Sequence, residues 1–207
     1  MKKNNSFYYR LAIVFSLAFL CVVLYSTVSY TDLMKDAKSK MFDKYYEGVT
    51  LAYGKHDYDL SKNQLNSAID AMKIIESNMD SSSLLQINQS IEELKLLQNT
   101  MESDLITDEI LKVILSRSLH TLTYGEIRLA RAEILENHVD EGIACLDRAK
   151  AHLLTSLDYI KPHKKEDNKK IIGLIESLSN SLKQNENYSE KLEMLSLNSK
   201  KLSIGRY

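Results

Sequence analysis

From Leu33 to Leu182 the apolar residues of this chain recur three and four positions apart, the spacing of one face of an α-helix. A strand-rich fold needs many tight turns, yet the 207 residues hold only six Gly and one Pro. The run Leu33, Met34, Ala37, Met41, Tyr45, Val49, Ala52, Tyr53 predicts a first helix, and the period stops at Gly54-Lys55-His56-Asp57. A second helix is expected from Asp59 to Ser77, with Leu65, Ala68, Ile69, Met72 and Ile75 inward. Asp80-Ser81-Ser82-Ser83 supplies N-cap residues for a third, carrying Leu84, Ile87, Ile91, Leu94, Leu97 and Met101. A long helix follows from Thr107 to Glu136, interrupted only by Gly125, with Ile110, Ile114, Leu115, Leu119, Leu122, Ile127, Ala130 and Ile134 inward. The next runs from Val139 to Tyr159 and ends before Pro162, because the residue preceding a proline avoids the helical region. A last helix starts near Glu166 with Ile172, Ile175, Leu178 and Leu182, and a polar tail is expected beyond Asn185. The fold class is therefore all-α: an N-terminal apolar helix followed by about six helices.

The two halves superpose without gaps at a shift of 81 residues. Met41 falls on Leu122, Tyr46 on Ile127, Asp59 on Asp140, Leu65 on Leu146, Ala68 on Ala149 and Leu97 on Leu178. A duplicated three-helix unit accounts for this most simply. It divides the chain into an apolar segment over 1–30, units over 31–104 and 105–185, and a tail over 186–207.

Lys2, Lys3 and Arg10 precede a run from Leu11 to Val28 that carries no charge. The stretch Leu11–Tyr30 reaches the roughly 20 residues a membrane-spanning helix needs. Tyr8, Tyr9, Tyr25 and Tyr30 sit where interfacial aromatics belong. We read it as an uncleaved signal-anchor holding residues 11–30 in a membrane, with Thr27-Val28-Ser29 as the cleavage site if it is instead a signal peptide. Lipoprotein processing is excluded by the bulk of Leu20 before Cys21. The basic flank stays inside, so the helices that follow face a periplasm or the extracellular space.

A net charge of −1 argues against a general nucleic-acid binder. The charge is uneven, with four basic and eleven acidic residues from Lys55 to Glu109 and sixteen basic and thirteen acidic from Lys112 onward. No run has the spacing of a metal site: His56, His120, His138, His152 and His163 fall at turns or on separate faces, and only His138 and His152 have a hairpin to bring them together. Asp140-Glu141 and Glu92-Glu93 are adjacent pairs that diverge on a helix, and there is no Gly-rich phosphate loop or Gly-x-Ser-x-Gly elbow. Cys145, between Ala144 and Leu146, reads as a small buried hydrophobe. The basic run from Lys161 to Lys170 reads as a solvated turn, and Tyr45, Tyr46, Tyr53 and Tyr58 as packing residues on more than one face. These observations name no catalytic, cofactor-binding or metal-binding residue.

Leu129-Ala130 with Gly142, Leu146 and Ala149, and likewise Tyr45, Val49 and Ala52 with Ser61, Leu65 and Ala68, alternate large and small residues as two closely approaching antiparallel helices require. In this the chain resembles tetratricopeptide-type helical hairpins, and the resemblance implies a surface that receives a peptide or protein. The third helix in each unit departs from that family's tandem array of about 34 residues. The expectation is a non-enzymatic, membrane-anchored interaction module for a protein or peptide partner. Its alternative is a sensor-like or stress-related bundle with a small ligand between its helices.

Overall fold

The computed structural model describes residues 41–76, 79–103, 105–162 and 165–204. The apolar run over 11–30, and the orientation drawn from it, lie outside the described residues. Among the described residues there is no strand, and no helix is long and apolar enough to cross a membrane. The described residues form seven helices: α1 (described over 41–54), α2 (Tyr58–Glu76), α3 (Ser81–Thr100), α4 (Asp108–Leu135), α5 (Val139–Ser156), α6 (Lys165–Lys183) and α7 (Ser189–Ile204).

Local chemistry sets where these helices begin. The Asp80 carboxylate accepts from the Ser83 amide at the start of α3, and the Thr107 hydroxyl accepts from Ile110 at the start of α4. Three helices stop by one device. His56, Asn137 and Asn185 take left-handed backbone angles, φ 58°, 65° and 53°. In each case the amide of the left-handed residue reaches back three residues and the next amide five, as in Asn137 to Ile134 (3.2 Å) and His138 to Glu133 (2.8 Å). Gly54, which the sequence offers as the breaker, is still helical, and His56 makes the turn.

Cross-contacts show how the helices are arranged. Tyr53 donates to the Ile106 carbonyl and Tyr46 to Ser118, so α1 runs antiparallel to the first half of α4. Gln98 donates to the Lys62 carbonyl and Arg117 pairs with Glu93, which sets α2 against α3 and α3 against α4. These four segments close an up-and-down bundle around Phe42, Tyr46, Leu65, Met72, Leu94 and Leu115, among others. The second half of α4 forms another bundle with α5, α6 and α7, around Ile127, Leu146, Leu153, Ile175, Leu178 and Leu195. The 28 residues of α4, about 42 Å of helix, serve both cores.

The two cores part along α4, with Leu122 in one and Ile127 in the other. Several expectations change here. The expected polar tail is helix α7, which buries Leu192, Leu195 and Ser199. Its 3,4 spacing is short and flanked by charge, so it is weak until a core is present to receive it. On α1 Val49 and Ala52 are buried as expected, but Met41 is 43 % exposed and Phe42 and Tyr46 are fully buried instead. The larger aromatic area goes inward. Ile110, also expected inside, is 40 % exposed on the first turn of α4.

α4 and α5 approach closely, since a Cβ on Gly142 would stand 2.6 Å from Ile134 Cγ1 and 3.3 Å from the Ala130 carbonyl oxygen. A Cβ on Gly54 would meet nothing within 4 Å. Gly142→Ala should therefore cost about 1–3 kcal/mol by overpacking. Gly54→Ala should be neutral or gain up to about 1 kcal/mol from helix propensity. Urea titrations of both variants check this pair.

Candidate functional site

From Ser118 to Ile127 every residue of α4 is buried. An ordinary surface helix keeps a wet face, so this segment is enclosed all round. Five of its residues, Ser118, His120, Thr121, Thr123 and Glu126, are nevertheless polar and need partners. Thr121 and Thr123 donate to the carbonyls of Arg117 (3.1 Å) and Leu119 (2.9 Å) on their own helix. Ser118 donates to the Leu115 carbonyl and accepts from Tyr46, whose hydroxyl burial holds well above its usual pKa. Glu126 takes both arms of the Arg148 guanidinium, each at 3.0 Å.

His120 meets Asn168 of α6, whose amide donates to His120 Nε2 at 3.0 Å and to Ser156 Oγ at 2.6 Å. One turn before Ser156, His152 is fully buried, with Nδ1 3.0 Å from Asp43 Oδ1 of α1 and its ring edge-on to Phe42. A polar layer thus crosses the molecule where the two cores meet. At the 81-residue shift, His152, Ser156 and Asn168 stand where the first half has Ala71, Ile75 and Ile87, all buried and apolar.

The two histidines read from sequence as a hairpin pair do not meet. His138 and His152 lie at opposite ends of α5, 14 residues or about 21 Å apart. His138 is exposed at the start of α5, with Nδ1 3.0 Å from Glu133 and 3.9 Å from Glu136. These three groups bring their ligating atoms within 4.8 Å of one another on an open turn. His56 lies against the Tyr58 hydroxyl at 3.1 Å, and His163 lies outside the described residues. Glu92 pairs with Lys95 and Glu93 with Arg117, while Asp140 and Glu141 are solvated in the first turn of α5. Lys161 of the basic run reaches Glu109 at 2.5 Å.

Cys145 is 3 % exposed. Burial, with the Glu126 carboxylate adding to it, pushes its thiol up to about 12, although Arg148 Nη2 lies 3.0 Å from the sulfur. A buried thiol with a raised pKa yields the thiolate of nucleophilic or redox chemistry far less readily than a free cysteine.

On the outer side of the first bundle a groove of about 690 Å³ runs between α2 and α3, lined by Asp59, Lys62, Asn63, Asn66, Gln98 and Asn99. Lys62 is held by Glu102, and Gln98 Nε2 by the Lys62 carbonyl at 3.2 Å. Among the described residues, the side chains of Asp59, Asn63, Asn66 and Asn99 have no protein partner. Sequence reading passed over this groove because amide residues on a solvated helix face carry no periodic signal. Only the pairing of α2 with α3 gathers them.

No protein-family model, curated protein or solved structure matches the chain.

Two measurements check the buried groups. Glu126→Leu or Arg148→Leu alone should cost about 3–5 kcal/mol by stranding a buried charge, and the double variant should recover most of that loss; chemical denaturation of all three gives the cycle. Iodoacetamide at pH 7.5 should leave Cys145 unmodified in the folded protein and label it in 6 M guanidinium, read by peptide mass mapping, because the raised pKa keeps the thiol protonated.

Proposed function

We propose that the chain is a membrane-anchored helical interaction module. Residues 11–30 hold it in the membrane, and the helices after them receive a protein or peptide partner on the periplasmic or extracellular side. The observation that carries this reading is the α2–α3 groove, an open surface whose polar lining is largely unused by the protein itself. The buried histidines and the cysteine support it from the other direction, since His120, His152 and Cys145, with Glu126, are engaged in contacts between helices.

We also infer a duplicated unit. The 81-residue shift carries the start of α2 at Tyr58 onto that of α5 at Val139, and the start of α4 at Asp108 onto that of α7 at Ser189. It also carries the left-handed His56 onto Asn137. Kinship with tetratricopeptide hairpins rests on the large and small residues at the α4–α5 crossing and on Val49, Ala52, Ser61, Leu65 and Ala68 of α1 and α2.

A second reading, a sensor-like bundle that binds a small ligand, draws on the polar layer. Through Asp43–His152 and Tyr46–Ser118 that layer ties α1 to α5 and α4.

Cross-linking in the native membrane, followed by purification in detergent, tests the module. One partner should be recovered at constant stoichiometry, with the chain released only by detergent and starting at or near Met1. A chain that starts near Tyr30 in the soluble fraction sinks the anchor. Recovery of the chain alone after efficient cross-linking sinks the interaction reading and leaves the sensor.

A further inference from the structure

We propose that the groove between α2 and α3 binds the main chain of an extended polypeptide segment bearing lysine or arginine, a reading that rests on the interaction-module function. The lining decides the chemistry. Asn63, Asn66, Gln98 and Asn99 are carboxamides, each offering both donors and an acceptor, the same complement as a peptide unit. Asn63 and Asn66 stand about 4.5 Å apart along one stripe of α2, and Asn99 faces them from α3. An extended chain has main-chain N–H and C=O groups on both sides that need partners. A bound helix has already satisfied its own and would ask for an apolar stripe, which this lining lacks.

Other ligand classes fit less well. No aromatic ring lines the groove for a base to stack on. Phosphate or carboxylate ligands find the one cation of the lining, Lys62, already held by Glu102, and the other lysines of α2 and α3 are paired too, Lys73 with Asp70 and Lys95 with Glu92. Asp59, at one end of the groove and without a partner, is placed to receive a cationic side chain.

The test uses the full chain in lipid nanodiscs as bait for a displayed library of random 12-residue peptides, with empty nanodiscs as the blank. Enriched peptides should carry Lys or Arg. Their affinity should fall at least tenfold for Asn63→Ala/Asn66→Ala/Asn99→Ala, and at least tenfold when alternate main-chain amides of the peptide are N-methylated. The three substitutions replace exposed side chains on helices with a better helix former, so circular dichroism melts should match wild type. Asp59→Asn should abolish the preference for Lys and Arg. Enriched peptides that bind the triple variant undiminished, that tolerate N-methylation, or that are acidic overturn the groove proposal and leave the module standing. No enrichment over the blank overturns both.

Discussion

The rest of the structure depends on the middle of α4, Ser118 to Ile127, being covered on all sides. The first half of α4 closes the bundle of α1, α2 and α3, and its second half closes that of α5, α6 and α7. Neither bundle has four walls without it. Burial of this kind is available only to a helix whose polar side chains bond back to their own carbonyls or find a partner on a neighbour, since an unmet group inside costs about 1–3 kcal/mol. Thr121 and Thr123 do the first, Glu126 and His120 the second. The same requirement fixes the neighbours. Arg148 must come from α5 and Asn168 from α6, and the α2–α3 corner must bring Asp80 to Arg128, whose Nε lies 2.6 Å from the carboxylate.

This division between apolar and polar burial explains what was legible in the sequence. Leu65, Ala68, Met72, Leu94, Leu97, Leu146, Ala149 and Leu178 lie inside as their spacing predicts, because periodicity reports the apolar stripe directly. The polar interior was not legible. His120, His152, Ser156 and Asn168 look like the wet face of a surface helix until a second core covers them. The α7 helix was missed for a related reason. Leu192, Leu195, Ser199 and Leu202 keep the right spacing, but four positions among lysines and glutamates outweigh nothing until α4 and α6 are there to pack against. The groove amides gave no signal at all, since its two walls lie more than thirty residues apart in sequence.

A shift of 81 residues sets the two halves side by side. Both bury an apolar residue at Leu65 and Leu146 and at Leu97 and Leu178. They differ in the polar layer, where Ala71, Ile75 and Ile87 correspond to His152, Ser156 and Asn168. They differ also at the groove, since Asn63 and Asn66 correspond to Ala144 and Asp147.

An unbroken α4 also lowers the cost of starting helices in this fold. Starting a helix is costly and extending it is cheap, because the first turn fixes several residues for a single hydrogen bond. α4 serves both cores as one continuous helix of 28 residues. Two bundles with separate fourth walls would need one more nucleus, whereas here both walls extend from the same one.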